Sequence, residues 1–225
     1  MACCKSWKGW NTLKSYSDNK VLQVLAAVGD LMLLNVLWLL CCLPVITAGA
    51  STTALYYAVF KMVRKEETYP TRMFFHAFRQ NLKQGILLTL LLLLVGVLLY
   101  VDLNITRSTE ISMGPLLSIL LLALLVVFAM VTSYVFPLLA QFENTIRGTL
   151  KNALFMSIWH LPYTLLILLL NTLPVLLFFL SPSLFAMSLI VWVLVGVAGA
   201  AYLNGRLFVK IFDRYIQKQE TPLEL

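Results

Sequence analysis

The fold class of this chain is decided by PLLSILLLALLVVFAMVTSYVFPLLA, residues 115–140. These 26 residues include no charged side chain, and about 20 apolar residues are enough to cross the ~30 Å hydrocarbon core of a bilayer. The apolar residues form an unbroken block, whereas the strands of a transmembrane β-barrel would alternate. We therefore expect a transmembrane helix here.

Similar blocks occur along the rest of the chain. Predicted spans lie at 22–46, 82–103, 161–181 and 183–205, with a shorter block rich in Ala, Ser, Thr and Tyr at 48–66. Of the 225 residues, 60% are hydrophobic and 12% charged, about half the charged fraction of a soluble domain. This composition excludes most soluble enzymes, disordered proteins and nucleic-acid-binding domains. We expect one all-α polytopic membrane domain over 1–225, with no signal peptide at its start.

The distribution of the 17 basic residues orients the spans. Four precede Val21, six lie between Lys61 and Lys83, two lie in the 141–160 loop and four follow Gly205, whereas the 102–114 loop has Arg107 alone. Cytoplasmic loops are the ones enriched in Lys and Arg. The N-terminus and the 61–83 loop then share a side, so an even number of crossings must separate them. We predict six spans in the plasma membrane with both termini cytoplasmic; the alternative is five spans plus a re-entrant segment at 48–63.

Two segments on the predicted cytoplasmic side have amphipathic helical patterns, 69–84 and 142–160. We expect interfacial helices that lie on the inner leaflet. They are either plain membrane-surface helices or a docking platform for a partner, and the +7 net charge is accounted for by such juxtamembrane loops. The partner-docking candidates are Phe74, Phe78, Arg79, Glu143, Arg147, Gly148 and Lys151.

Polar residues inside a span are unfavourable unless paired or hydrated, so each one is a functional candidate. Asp30 is the carboxylate inside the first span, and we expect either a salt bridge to a loop Lys or Arg or a proton or cation site. Asn35 is expected to hydrogen-bond a neighbouring helix, with substrate binding as the alternative. Asn171 and Pro174 indicate either a bend in the fifth span or ordinary helix packing.

The segment from Pro44 to Ala54 is the least generic in the chain. Pro44 ends the first helix, and the Thr47 hydroxyl is expected to cap the next one. Small residues recur every four positions, as in Gly49/Thr53, Ala50/Ala54/Ala58, Gly196/Ala200 and Ala201/Gly205. This spacing permits close helix approach in lipid, within the chain or between copies in a homo-oligomer.

The sequence shows no pattern of catalysis or cofactor binding. Cys3/Cys4 and Cys41/Cys42 are adjacent pairs without metal-ligand spacing, and the two histidines, His76 and His160, are far apart. No nucleotide-binding loop, nucleophile elbow or metalloprotease motif is present. We expect no enzyme activity, no catalytic residues, no metal and no cofactor.

Several of these residues carry a family resemblance. Asn35-Val-Leu-Trp38, Leu43-Pro44, Thr47-Ala-Gly49-Ala50 and Ala54-Leu-Tyr56, followed by Lys61–Glu66 and Asn81, resemble the YesL-like family of bacterial membrane proteins. The match covers roughly residues 20–95; Ala50 stands where the family often has Pro. The resemblance implies a domain of unknown function, typical of Gram-positive bacteria and often associated with carbohydrate uptake systems. The family-motif residues are Asn35, Trp38, Pro44, Thr47, Gly49, Ala54 and Asn81.

A second segment is similar to the loop by which ABC importer permeases dock their ATPase. It comprises Glu143, Gly148, Phe155, Ile158 and Leu161-Pro162, with one residue fewer between Glu and Gly and with Asn144 and Thr145 in place of alanines. We predict an accessory or regulatory subunit acting with a carbohydrate ABC importer, with its permease or ATPase as partners. The alternatives are a small transporter that forms a pathway itself, and a structural membrane protein without a transport role.

Overall fold

Nearly the whole described chain is helical. The computed structural model describes residues 20–66, 69–108 and 114–220. The helices are α1 (Lys20–Cys42), α2 (Ala48–Val63), α3 (Pro70–Ser108), α4 (Gly114–Gln141), α5 (Ile146–Trp159), α6 (Leu161–Leu180), α7 (Pro182–Val191) and α8 (Val197–Glu220). A 3₁₀ turn, Val45–Thr47, joins α1 to α2, and a π-helical turn, Trp192–Gly196, joins α7 to α8. The all-α prediction is confirmed. Lys5, Lys8, Lys14, Cys3, Cys4 and the 109–113 part of the predicted outer loop lie outside the described residues.

Five helices of the described chain are long and apolar enough to cross a membrane. They comprise Val21–Cys42, Pro70–Thr106, Leu116–Gln141, Leu161–Leu180 and Ser188–Arg214. The protein is therefore a multi-pass membrane protein. Their boundaries follow the predicted spans, except that Pro70–Thr106 begins well before the predicted residue 82 and Ser188–Arg214 ends beyond the predicted residue 205.

Helix α2, the weakest predicted span, is the helix most enclosed by the others. Its 16 residues amount to about 24 Å, less than the ~30 Å hydrocarbon core. Ten of them are buried, from Gly49 to Phe60. Its small side chains therefore face protein rather than lipid, and its crossing of the membrane stays a prediction.

The expected interfacial helix at 69–84 is not a separate element. It is the first part of α3, which runs for 39 residues, about 58 Å, from Pro70 to Ser108. Phe74 is fully buried, and Phe78 packs against the same core. Part of the predicted apolar face therefore packs against protein, whereas Phe75 on the same face is exposed. The helix continues without interruption from this face into the span, and its contact with the inner leaflet stays a prediction.

Three helix ends meet on one side of the molecule. The Arg64 guanidinium, after α2, forms an ion pair with the Asp213 Oδ1 of α8 at 2.8 Å and donates to the Gln141 Oε1 of α4 at 3.1 Å. Beneath them, the Phe60 ring packs edge-on against Phe212. We call this side the inner face, because the positive-inside pattern predicts that it is cytoplasmic.

Candidate functional site

Asn35 of α1 holds the π-helical turn between α7 and α8. Its side chain is completely buried. The Nδ2 group donates to the carbonyls of Trp192 (3.2 Å) and Val193 (2.6 Å), and Oδ1 accepts from the Ala198 N–H at 2.9 Å. A π turn shifts the helical hydrogen-bond pattern by one residue. The single amide group of Asn35 bonds both to carbonyl acceptors and to an N–H donor at this turn. Asn35 therefore fixes α1 to the irregular point of the last helix.

Trp38 ties α1 to α2 one turn further on. Its indole N–H donates to Thr52 Oγ1 at 3.1 Å, and its own carbonyl accepts from the Ser51 hydroxyl at 3.1 Å. Two hydrogen bonds in opposite directions set the register of the hairpin that α1 and α2 form. Trp38 is thus a positioning residue of this hairpin.

Thr47 does not cap α2, which corrects the sequence expectation. Its hydroxyl donates to the carbonyls of Cys41 (2.7 Å) and Pro44 (2.8 Å), and it makes no side-chain bond to the start of α2. The last carbonyls of a helix lack intrahelical donors. Thr47 supplies one to the end of α1, just where Pro44 stops the chain from continuing as a helix.

Gly49 sits where α2 crosses α3 at very close range. A Cβ added to Gly49 would overlap the Thr89 hydroxyl and approach the Gly85 carbonyl oxygen to 2.8 Å. A Cβ added to Gly85 would lie 2.7 Å from the Ala50 backbone. The small-residue spacing therefore serves tight helix packing inside the chain.

The other small-residue faces are also occupied within the chain. Ala54 and Ala58 of α2 are buried, as is Ala201 of α8, and a Cβ on Gly205 would lie 2.7 Å from Val59. These faces therefore serve packing within the chain, and homo-oligomerisation stays a prediction. Gly196 packs against the side chain of Trp192 instead.

Asp30 is half-buried on α1 and pairs with none of the described basic side chains. The lysines before residue 20, with which a salt bridge was expected, lie outside the described residues. Among the residues that the structure describes, no three His, Cys, Asp or Glu side chains cluster. Asp30 thus remains an intramembrane candidate without an observed partner.

Asn171 belongs to a polar group between α6 and α8. Its Oδ1 accepts from the Nδ2 group of Asn204 at 2.9 Å. Asn204 is completely buried, and within the described part of the chain its own Oδ1 has no hydrogen-bond partner, although the Tyr56 hydroxyl lies beside it. Asn171 and Tyr56 line a cavity of about 660 Å³ within the membrane-spanning part. Helix α6 continues past Pro174 to Leu180, and the bond between Asn171 and Asn204 makes this region a packing contact between α6 and α8.

The inner face carries a polar groove between α3 and the segment that joins α4 to α5. The groove has a volume of about 780 Å³ and adjoins a second one of about 530 Å³ along α5. Its polar lining consists of His76, Gln80, Asn81, Lys83, Gln84, Gln141, Glu143, Asn144 and Thr145. Asn81 donates to the Ala77 carbonyl at 3.0 Å, so it has a packing bond as well as a place in the groove.

Helix α5 presents the remaining docking candidates. Thr145 caps it by accepting the Gly148 N–H at 3.3 Å. Arg147 and Lys151 are exposed, and so are the apolar Phe155 and Trp159. Glu143 and Arg79 are also exposed, whereas Phe74 is buried and is excluded as a docking residue.

The joint between α5 and α6 is fixed by buried hydroxyls. The Thr164 hydroxyl lies 2.8 Å from the Ser157 carbonyl and 2.9 Å from the Tyr134 hydroxyl of α4. At the joint itself, burial and the nearby Arg214 charge lower the pKa of His160. Helix α5 is therefore attached to the bundle at this end and capped at the other.

Sequence reasoning missed Asn204, Tyr134 and Arg64. Asn204 stands alone after an apolar run, which is the same signal that marked Asn35 and Asn171. Tyr134 carried no such signal, because a tyrosine in a span is ordinary. Arg64 was noted for its charge and as part of the segment Lys61–Glu66, but its ion-pair partner Asp213 lies 149 positions away.

Known proteins resemble this chain in its first three helices and beyond. Residues 31–103 match the family described as "Protein of unknown function, DUF624". The uncharacterized protein YteU of Bacillus subtilis (strain 168) is 33% identical over 153 residues, which cover 65% of this chain and 66% of YteU. The uncharacterized protein YesL of the same organism is 27% identical over 137 residues, covering 59% and 64%. The resemblance to the YesL-like family is confirmed.

The matched family region contains every motif residue that the sequence singled out, from Asn35 to Asn81. In this YesL-like chain these residues build the hairpin of α1 and α2 and its crossing with α3. The alignments span just under two thirds of the length of each B. subtilis relative. No solved structure matches the chain.

Proposed function

We propose that this chain is an accessory or regulatory membrane subunit of a bacterial carbohydrate ABC import system. The observation that supports this role best is α5, a short helix capped at Thr145 and fixed at Thr164, beside an open polar groove. A helix held this firmly needs no partner for its own folding. Its exposed basic and apolar side chains are therefore available for docking.

The composition of this surface fits a protein partner. Aromatic residues and arginine are enriched at protein interfaces, and α5 exposes Phe155, Trp159 and Arg147 on the predicted cytoplasmic side. The carbohydrate-import setting comes from the family resemblance, and the likeness of Glu143–Pro162 to the ATPase-docking loop of permeases agrees with it. The proposal assigns no catalytic step to the chain.

Affinity purification from native membranes tests the proposal. The tagged chain should recover importer permease or ATPase subunits, and the double variant Arg147→Glu with Lys151→Glu should recover at least tenfold less. Lys210→Glu, an exposed charge reversal on α8, is the matched control and should leave recovery unchanged. Repeated isolation of the protein alone, or equal recovery with the double variant, would contradict the proposal.

A pathway-forming transporter is the second candidate, and the intramembrane cavity beside Asn171 favours it. Purified protein in liposomes would then move sugars, oligosaccharides or ions above background. A third candidate, a structural membrane protein, differs from the first because deletion of the gene would leave sugar uptake unchanged. Uptake by protein-free liposomes provides the background for the transport assay.

A further inference from the structure

The 660 Å³ cavity lies deep in the membrane-spanning region, between α2, α4, α6 and the π turn. Asn171 is ten residues beyond the start of α6 at Leu161, about 15 Å along the helix axis. The cavity is thus near the middle of a ~30 Å hydrocarbon core, and its volume is within the range of about 300–1,000 Å³ found for ligand pockets.

Three of the cavity walls have helices with irregular hydrogen bonding. Pro137 in α4 and Pro174 in α6 have no N–H, so the carbonyls of Ser133 and Leu170 lose their usual helical donors. The third wall carries Trp192, the first residue of the π turn. All these residues line the cavity. At membrane depth, irregular backbone is tolerated where it is buried in protein or lines a polar space.

The lining hydroxyls of Thr52, Thr132, Ser133 and Thr172 each donate to a carbonyl of their own helix. Asn171 uses its Oδ1 for Asn204, which leaves its Nδ2 group at the cavity wall without a hydrogen-bond partner among the described residues. Behind it, the Oδ1 atom of Asn204 is buried and unpaired. No Asp, Glu, Lys, Arg or His lines the cavity. The site therefore offers neutral donors and acceptors but no counter-ion.

We propose that this cavity binds a single-chain amphiphile with an uncharged hydroxyl head group. A hydroxyl both donates and accepts, so it matches the free Asn171 Nδ2 group and the carbonyls that the prolines leave without donors. A charged head would lose its hydration here without an ion pair in return. The apolar remainder of the wall, for example Leu125 and Leu168, contacts the hydrocarbon chain. The site is separate from the inner-face groove and does not depend on the docking role.

Photo-crosslinking of the purified full chain in detergent tests this site. The first probe is a diazirine-bearing hexadecanol. The second is a diazirine-bearing hexadecanoic acid at pH 8, which has the same chain length but a charged head group. The alcohol should label peptides from 125–137 and 168–174 at least fivefold more strongly than the acid, and unlabelled hexadecanol should compete. Equal labelling by both probes, or labelling spread evenly over the lipid-facing helices, would overturn the proposal.

Two variants locate the binding within the cavity. Asn171→Leu should reduce alcohol labelling at least fivefold, and Ala200→Phe, which fills space at the cavity wall, should do the same. Asn104→Leu, on an exposed asparagine of α3 outside the cavity, should leave labelling unchanged. Gel filtration and thermal unfolding establish that each variant is folded. Full labelling of folded Asn171→Leu and Ala200→Phe would also overturn the proposal.

Discussion

The Asn35 side chain makes three hydrogen bonds to a distant part of the chain, so its truncation should lower the free energy of unfolding of the whole helical bundle. At about 1 kcal/mol for each bond, Asn35→Ala should lose about 3 kcal/mol of unfolding free energy. This corresponds to a Tm lower by about 6–12 °C for a chain of this size. Thermal unfolding in detergent measures it. Asn104→Ala, whose side chain bonds only the Tyr100 carbonyl on its own helix, should stay close to wild type; an unchanged Tm for Asn35→Ala would contradict the assignment.

Two glycines in neighbouring helices should respond to alanine in opposite directions. Gly49→Ala places a methyl group against Thr89 and the Gly85 backbone, and overpacking of this kind costs about 1–3 kcal/mol. Gly29 has no atom within 4 Å of an added Cβ, so Gly29→Ala should gain about 0.5–1 kcal/mol from helix propensity. Thermal unfolding of both variants is the measurement. A Gly49→Ala variant as stable as Gly29→Ala would mean that the crossing is looser than described.

The stability of the α5–α6 joint should fall in mild acid. Burial first, and the Arg214 charge second, lower the pKa of His160 below its ordinary value, which is about 6.5 in an unfolded chain. The unfolded state therefore takes up the proton first, and stability decreases as the pH falls below about 6.5. Above that pH both states are neutral and no dependence on His160 is expected. Unfolding between pH 8 and pH 5.5 should show this decrease in wild type and a smaller one in His160→Gln; identical pH profiles would count against it.

Sequence reasoning identified Asn35 and Gly49 because each stands out among apolar neighbours. It could not identify their partners. The carbonyl that Asn35 Nδ2 approaches most closely, that of Val193, is 158 positions away, and nothing in the local pattern announces a π turn. Thr47 shows the same limit at short range. A hydroxyl between two helices can hydrogen-bond to the end of the first or to the start of the second, and in the structure Thr47 donates to the Cys41 carbonyl at the end of α1.

At the scale of elements, the periodicity of 69–84 was informative about the face but not about its environment. A helix that lies on lipid and a helix that packs on protein need the same apolar stripe. The pattern therefore placed Phe74 and Phe78 on one side correctly, but it could not show that Phe74 is buried in the protein core. The continuity of α3 was equally hidden: the helix runs through Gly85, which is a contact point with α2.

The hydroxyl pair Tyr134–Thr164 should control how firmly α5 is held. Tyr134→Phe removes the 2.9 Å contact to Thr164 without changing the ring, at a cost of about 1 kcal/mol. We expect amide hydrogen exchange to become several-fold faster in 146–160, with little change in α2. Tyr100→Phe, on an exposed tyrosine of α3, is the matched control. Unaltered exchange in α5 of Tyr134→Phe would show that other contacts hold the helix.

At the scale of the whole molecule, the hydrophobic composition identified a helical membrane protein, and the distribution of basic residues predicted its topology. The weak point of that topology is α2, which is shorter than a typical span. The bonds of Arg64 to Gln141 and Asp213 constrain the topology, because residues 64, 141 and 213 must then lie on the same side of the membrane. If α1 also begins on the inner face, the chain must cross the membrane an even number of times before Arg64, and α2 is then a span. The hairpin bonds of Trp38 support that arrangement, since they set α1 and α2 side by side.

Cysteine labelling can decide whether α2 crosses. The native cysteines are first replaced by serine, and one cysteine is then introduced in place of Lys65, Glu143 or Lys210. In intact cells, each of these three cysteines should be shielded from a membrane-impermeant maleimide. All three should react in inverted vesicles, because they lie at or near the inner face. A cysteine at Asn104, near the far end of α3, should show the opposite pattern. A cysteine at Gln23, early in α1, distinguishes the two topologies: shielding in intact cells together with labelling in inverted vesicles requires α2 to span, whereas the reverse pattern requires a re-entrant α2 and five crossings.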